Sequence, residues 1–153
     1  MIKVLFVCHG NICRSAMCEF MMKDLLNKNG LSDRVYVSSA ATSREEIGND
    51  MYPPAKRILD LEGVPYTRHS ARQVVTDDYN NYDLIICMEQ YNLRNLSRII
   101  KDDPDKKIHL LLDFTDSPGD IADPWYTGNF DRTYDDIVEG LKGLMGYISA
   151  EML

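Results

Sequence analysis

The chain has 153 residues, a length that suits one hydrophobic core, and we expect a single domain over residues 1–153. Its formal net charge of −7 argues against nucleic acid or an anionic membrane as a partner. Four cysteines without a CxxC pair, beside only three histidines, argue against a disulfide framework or a structural zinc site, so we expect no metal.

Strand-like and helix-like segments alternate from the start of the chain. Residues 3–7 form an apolar run of strand length, too short for a signal peptide or a membrane span, so the cytoplasm is the expected compartment. A helix should follow, because apolar side chains recur at helical spacing before Gly30 ends it: Met17, Phe20, Met21 and Leu25. Residues 35–39 predict a second strand. The next helix begins at Pro53 and Pro54, ends at Gly63 and carries Ile58, Leu59 and Leu61.

The second half of the chain repeats this alternation. Residues 84–88 are uniformly apolar, as in a parallel strand covered on both faces, and residues 108–112 predict a fourth strand. The helix between these strands carries Leu93, Leu96, Ile99 and Ile100. After a loop over residues 113–129, a last helix places five apolar residues on one stripe: Ile137, Leu141, Leu144, Met145 and Ile148.

Four strands interleaved with helices predict an α/β fold, a single-domain, doubly wound, four-stranded parallel sheet with helices on both faces. Ligands bind beyond the carboxyl ends of the strands in such sheets. We therefore expect the functional site in the loop after the first strand, and we expect the loop after the fourth strand to contribute to it.

Residues 8–15, Cys-His-Gly-Asn-Ile-Cys-Arg-Ser, have the composition of an anion-binding loop between that strand and its helix. The helix N-terminus presents unpaired N–H groups, and Gly10 and Asn11 tolerate left-handed backbone angles that turn amides inward. Amides and a nearby cation favour the thiolate of Cys8, to which Ser15 can donate a hydrogen bond. Arg14 offers a planar fork for two phosphoryl oxygens. A thiolate nucleophile, a ring of donors and a guanidinium are the groups that phosphoryl transfer requires. The alternative interpretation of this segment is a buried cysteine in a tight turn, with Arg14 on the surface.

A general acid must protonate the leaving oxygen, and composition alone does not select one among 24 acidic residues. Asp123 stands out because Pro124 restricts its backbone and two aromatic residues follow, Trp125 and Tyr126. Asp116 and Asp120 are weaker candidates. The alternative for this segment is a surface turn whose aromatic rings fold onto the core.

The loop resembles the signature C-x-G-N-x-C-R-S of the low molecular weight protein tyrosine phosphatases. The likeness continues through residues 39–43, 69–73 and 87–93. It implies hydrolysis of phosphotyrosine proteins or small aryl phosphates through a phosphocysteine intermediate on Cys8, without a metal or cofactor.

The resemblance also implies roles for individual residues. The phosphate or substrate would contact His9, Gly10, Asn11, Ile12, Cys13, Trp125 and Tyr126. Asp123 would act first as acid and then as base. A hydrogen-bond network of Asn11, Ser15, Ser39 and His69 would brace the loop, and Cys13 would trap oxidised Cys8 as a disulfide. Cys18 and Cys87 are simpler to interpret as core thiols.

Three positions depart from the family pattern. Ala16 replaces a usual Pro, Cys18 replaces a small residue, and Glu45 stands where an aromatic often lines the slot, which disfavours acidic peptides. Phosphoarginine hydrolysis is one alternative, although Ile12 stands where related phosphoarginine enzymes have Thr. Arsenate reduction needs further relay cysteines, and only Cys87 lies beyond Cys18. A silent phosphate-binding module would predict a missing nucleophile or acid.

Overall fold

Four parallel strands form the centre of the molecule, which the computed structural model describes over residues 1–153. Their spatial order is β2-β1-β3-β4, with bounds β1 (Ile2–Cys8), β2 (Val35–Ala41), β3 (Leu84–Cys87) and β4 (Ile108–Leu110). The helices are α1 (Arg14–Lys28), α2 (Pro53–Leu61), α3 (Asp78–Asn81), α4 (Gln90–Leu96), α5 (Pro124–Thr127) and α6 (Phe130–Glu151). No helix combines the length and apolar character that crossing a membrane requires.

β1 lies between β2 and β3, and its side chains alternate between two buried faces. Val4 and Phe6 join the larger core under α1, α2 and α6. Leu5 and Val7 join a smaller core, to which α3 contributes Tyr79 and α4 contributes Leu96. Helices therefore cover both faces, and the predicted doubly wound α/β sheet is confirmed.

Four predicted details differ from the structure. α4 ends at Leu96, so Ile99 and Ile100 lie beyond the helix that was predicted to carry them. The fourth strand ends at Leu110, because residues Leu111–Phe114 form a 3-10 turn in which Asp113 Oδ2 accepts the Leu110 N–H over 3.1 Å. Leu61 is 82% exposed and does not share the buried side of α2 with Ile58 and Leu59. Two short helices were not predicted: α5 lies in the segment predicted as a loop, and α3 lies in a segment for which no element was predicted.

The strand order brings four loops to one edge of the sheet. β1 pairs with β2 on one side and with β3 on the other, and Val7 is level with Ala40 and Cys87. Because all strands are parallel, the chain leaves their carboxyl ends at this edge, where the strand order reverses. The loop after β1 is therefore flanked by the segments that follow β2, β3 and β4.

Candidate active site

The loop after β1 closes against the first turn of α1, which begins at Arg14 without a side-chain cap. Its backbone turns at Asn11, whose φ of 62° lies in the left-handed region that Asn tolerates better than most residues. Gly10 was also expected to use a left-handed conformation, but only Asn11 does so in this loop. The uncapped helix end leaves backbone N–H groups available for an anion.

Cys8 is buried at the end of β1 and receives two polar contacts at its sulfur. The backbone N–H of Asn11 donates to Cys8 Sγ over 3.3 Å, and Ser15 Oγ lies 3.0 Å from the same sulfur. Asn11 Nδ2 donates to Ser15 Oγ over 2.8 Å, which leaves the Ser15 hydroxyl hydrogen available for Cys8. The sulfur is therefore held in place by polar contacts with the loop backbone and with the first turn of α1.

Arg14 is buried, with 2% of its side chain exposed, so the alternative of a surface arginine is wrong. Its Nη1 donates to the Ile121 carbonyl over 2.8 Å and to Glu89 Oε2, and its Nη2 donates to Asp123 Oδ2 over 3.2 Å. Burial alone lowers the pKa of Arg14, but the charges of Cys8, Asp123 and Glu89 raise it above its ordinary value. The guanidinium therefore stays charged and its orientation is set by three neighbours.

Asp123 divides its carboxylate between two partners. Oδ1 accepts the N–H of Trp125 over 3.0 Å and caps α5, while Oδ2 faces Arg14. Pro124 occupies the first position of that helix, where its fixed φ suits the turn. The short helix thus holds Asp123 at the site although it lies 115 residues after Cys8 in the chain.

A cavity of about 130 Å³ opens over this group of residues. Of the predicted catalytic and contact residues, Asn11 and Ser15 are fully buried behind the cavity and do not line it. The others line it, namely Cys8, His9, Gly10, Ile12, Cys13, Arg14, Asp123, Trp125 and Tyr126. Trp125 packs on Tyr52 with ring centroids 4.8 Å apart, and Tyr126 is 83% exposed. Tyr52 therefore supports the Trp125 ring, whereas the Tyr126 ring is accessible to a substrate.

The rim of the cavity is more acidic than a phosphate site requires. Glu45 and Glu46 line it together with Asp123. His9 Nε2 lies 3.0 Å from Glu45 Oε2 and must be the donor to a carboxylate. The expected replacement of an aromatic wall by Glu45 is thus present, and the acid is held by a histidine of the loop itself.

The predicted bracing network is present in part. His69 Nε2 lies 2.7 Å from the Asn11 carbonyl, and the Arg72 N–H donates to Asn11 Oδ1 over 3.2 Å. Ser39 does not join this group. Its hydroxyl donates to Glu19 Oε1 over 2.7 Å, because Ser39 on β2 faces α1 rather than the loop.

All four cysteines are buried free thiols. Burial and the charge of Cys8 raise the pKa of Cys13, and the same two causes raise the pKa values of Cys18 and Cys87. Cys18 and Cys87 do not line the cavity, and such buried protonated thiols are poor nucleophiles, whereas Cys13 lines the cavity together with Cys8. This arrangement offers no support to the arsenate reductase alternative, which needs reactive relay cysteines.

Four residues at the site were not predicted to contribute to it: Tyr52, Arg72, Glu89 and Ile121. Glu89 could have been found, because it lies two residues after β3, the strand beside β1. The carbonyl of Ile121 and the N–H of Arg72 act through backbone atoms, which no residue type reveals.

Known proteins of the same size match this chain along most of its length. The profile of the family described as low molecular weight phosphotyrosine protein phosphatase matches residues 3–152. The low molecular weight protein-tyrosine-phosphatase YfkJ of Bacillus subtilis is 37% identical over 153 residues, covering 99% of this chain and 98% of that protein. The human low molecular weight phosphotyrosine protein phosphatase is 37% identical over 149 residues, covering 93% and 92%.

Solved structures agree with these sequence matches. The crystal structure of YfkJ superposes with a TM-score of 0.96 and covers 100% of this chain and 98% of that one. The Drosophila arginine phosphatase DARP is 28% identical with a TM-score of 0.86, covering 98% and 99%. On these matches, the chain belongs to the low molecular weight phosphotyrosine protein phosphatase family.

Proposed function

We propose that this protein is a protein tyrosine phosphatase that hydrolyses phosphotyrosine in two steps through a phosphocysteine on Cys8. The observation that carries the proposal is the convergence of Cys8, Arg14 and Asp123 in one cavity. The names of the bacterial and human relatives support the phosphotyrosine specificity.

In the first step the Cys8 sulfur attacks phosphorus, the S–P bond forms and the bond to the tyrosyl oxygen breaks. Arg14 and the loop amides hold the equatorial oxygens, where charge concentrates in the transition state. Asp123 gives its proton to the departing phenol. The Ser15 hydroxyl steadies the sulfur, both as nucleophile and later as leaving group.

In the second step Asp123 takes a proton from water, which attacks phosphorus and displaces the Cys8 thiolate as inorganic phosphate forms. The position of Asp123 supports both roles, because α5 anchors one carboxylate oxygen and leaves the other directed at Arg14. A phosphoryl group that occupies the Arg14 fork displaces Asp123 from it, and the carboxyl group then faces the substrate.

A flat aromatic leaving group suits the walls formed by Ile12, Trp125 and Tyr126. Serine and threonine phosphates are shorter and would reach the loop poorly past these side chains. Phosphotyrosine proteins and small aryl phosphates are therefore the proposed substrates.

The decisive experiment measures hydrolysis of p-nitrophenyl phosphate and a phosphotyrosine peptide in EDTA by wild type, Cys8→Ser and Asp123→Ala. We expect turnover by the wild type, none by Cys8→Ser, and a loss of about 10²–10⁴-fold for Asp123→Ala. Full activity of Cys8→Ser, or no activity of the wild type, would contradict the mechanism.

Phosphoarginine is a second candidate substrate. The fold match to a Drosophila arginine phosphatase and the acidic rim of Glu45 and Glu46 favour it, since a guanidinium complements carboxylates. The bulk of Ile12 beside the loop opposes it. A phosphoarginine peptide assayed beside the phosphotyrosine peptide separates the two, and a larger kcat/KM for phosphoarginine would reverse our assignment.

We also propose that Cys13 protects the nucleophile. Peroxide would oxidise the Cys8 thiolate to a sulfenic acid, and the Cys13 sulfur would then form a disulfide with release of water. Mass spectrometry after mild peroxide should find the Cys8–Cys13 disulfide in wild type and over-oxidised Cys8 in Cys13→Ser. Finding only over-oxidised Cys8 in the wild type would rule the disulfide out.

A further inference from the structure

A second groove, of about 320 Å³, lies beside the catalytic cavity. His9 lines both, so the two cavities adjoin at this residue. The other lining residues include Ser43, Gln73, Tyr91, Asn95 and Arg98. None of its lining residues is acidic, although the chain carries 24 acidic residues and a net charge of −7. The groove is thus a local exception to the negative charge of the molecule.

This His9–Arg98 groove has unused hydrogen-bonding capacity. The side chains of Asn95 and Arg98 make no hydrogen bond or ion pair within the chain, although the backbone of both residues is paired. Thr42 Oγ1 is buried without a partner and its residue lines the groove, so this hydroxyl can donate a hydrogen bond to a ligand there. Buried polar atoms are nearly always satisfied in proteins, so the unpaired Thr42 hydroxyl points to a polar ligand, and the accessible Asn95 and Arg98 side chains are free to meet it.

The two sides of His9 carry opposite charge. On the side of the catalytic cavity the carboxylates are Glu45, Glu46 and Asp123. On the other side Arg98 is the charged lining residue, and Arg44 lies at the edge, where its Nε donates to Gln73 Oε1 over 3.1 Å. A phosphopeptide across this mouth would therefore meet repulsion for acidic residues at one side and attraction at the other.

We propose that the His9–Arg98 groove is an accessory subsite that binds an anionic side chain of the substrate, close in sequence to the phosphotyrosine. The proposal rests on the proposed phosphatase function. Because His9 lines both cavities, we expect the anionic side chain within three residues of the phosphotyrosine, a length of extended chain that spans roughly 10 Å. The expected ligand is an oxyanion, which is either the carboxylate of an acidic residue or a second phosphate group on the substrate.

Arg98 is the residue to vary, and Arg94 is its matched control. Both are exposed, but Arg94 lies on α4 four residues earlier and does not line the groove. The substrates are phosphotyrosine peptides with alanine flanks, in which one Glu or one Lys is placed at each of the three positions on either side. Since exposed ion pairs contribute little, we expect Glu at the favoured position to raise the wild-type kcat/KM about threefold over Ala.

Arg98→Ala should abolish this preference, Arg98→Glu should transfer it to the lysine peptide, and Arg94→Ala should preserve it. Added salt should reduce it, because the pair is exposed. Replacing the Glu by phosphoserine distinguishes the sources: a stronger, Arg98-dependent gain identifies a second phosphate as the preferred ligand, and a weaker gain identifies a carboxylate.

p-Nitrophenyl phosphate separates this proposal from the phosphatase assignment, because it has no flanking residues. If all variants hydrolyse it equally but no peptide preference depends on Arg98, the accessory subsite is refuted and the proposed function stands. If the wild type hydrolyses neither p-nitrophenyl phosphate nor any peptide, both fail.

Discussion

Arg14 Nη2 donates a hydrogen bond to Asp123 Oδ2 over 3.2 Å, so the cation proposed to bind phosphate and the proposed acid form an ion pair. The two charges satisfy each other in a largely buried position. A phosphoryl dianion at Arg14 would replace that partner and release the Asp123 carboxyl group from Arg14, so that it can face the leaving oxygen of the substrate. Substrate binding would thus prepare the acid.

The first prediction concerns the dependence of Asp123 variants on the leaving group. Asp123→Asn should slow a phosphotyrosine peptide by at least about 10²-fold, because tyrosine, with a pKa of about 10, leaves poorly as an anion. The loss with p-nitrophenyl phosphate should be smaller, since its more acidic phenol needs less protonation. Steady-state kcat values for both substrates check this, with Asp120→Asn as the control in the same loop. Equal losses would remove Asp123 from the role of acid.

The second prediction concerns Glu89, which orients Arg14 from the end of β3. Glu89→Gln should lower the free energy of unfolding by about 2 kcal/mol, because a buried guanidinium loses part of its charge compensation. We also expect kcat/KM to fall about tenfold as the Arg14 fork loses one of its positioning contacts.

Urea unfolding and p-nitrophenyl phosphate kinetics measure both effects. Glu139→Gln, at an exposed position of α6, is the control and should change neither the stability nor the kinetics. Wild-type stability and kinetics in Glu89→Gln would mean that Ile121 and Asp123 alone orient Arg14.

The third prediction concerns two glycines of α6 that differ in their surroundings. A Cβ at Gly143 would lie 2.1 Å from the Phe114 carbonyl oxygen, whereas a Cβ at Gly146 would meet nothing within 4 Å. Gly143→Ala should therefore destabilise the fold by about 2 kcal/mol or more, since backbone must move. Gly146→Ala should stabilise the fold by about 0.5–1 kcal/mol, because alanine loses less backbone entropy than glycine when the helix forms. Thermal unfolding compares the pair, and equal shifts would contradict the close packing of α6 on the 3-10 turn.

The fourth prediction concerns acid stability at Asp50. Burial acts to raise its pKa, but hydrogen bonds from Lys56 Nζ at 2.5 Å and from the N–H groups of His69 and Met51 lower it from 3.8 to about 2. A depressed carboxyl pKa contributes stability that is complete above the unfolded value and is lost as pH falls through the folded one. The destabilisation caused by Asp50→Asn should thus be full at pH 7 and should shrink between about pH 4 and 2.

Urea unfolding at pH 7 and pH 3 tests this difference. The matched control is Asp33→Asn, an exposed residue with no such contacts, whose effect should stay near zero at both values. An Asp50→Asn effect that is independent of pH would show that the carboxylate charge is not what stabilises the His69 segment.

Periodicity alone located the strands and the long helices, because each apolar stripe or run reflects local burial. It failed where tertiary contacts decide the backbone. The apolar residues Leu111 and Leu112 extend the run of β4, yet Asp113 turns the chain there and Leu111 packs against Gly140 of α6. Leu61 has the hydropathy of a core residue, but the side of α2 on which it lies has no neighbour to cover it.

The sequence by itself determined the phosphate loop, since Cys8, Arg14 and Ser15 are close in the chain and the strand-to-helix turn brings them together. The contacts that orient and support the side chains of this loop depend on the tertiary structure. Glu89 meets Arg14 only because β3 pairs beside β1, and Ser39 contacts Glu19 because of the direction in which β2 faces. Residues far apart in sequence come into contact through strand order and helix packing. The local sequence pattern does not specify which of them meet.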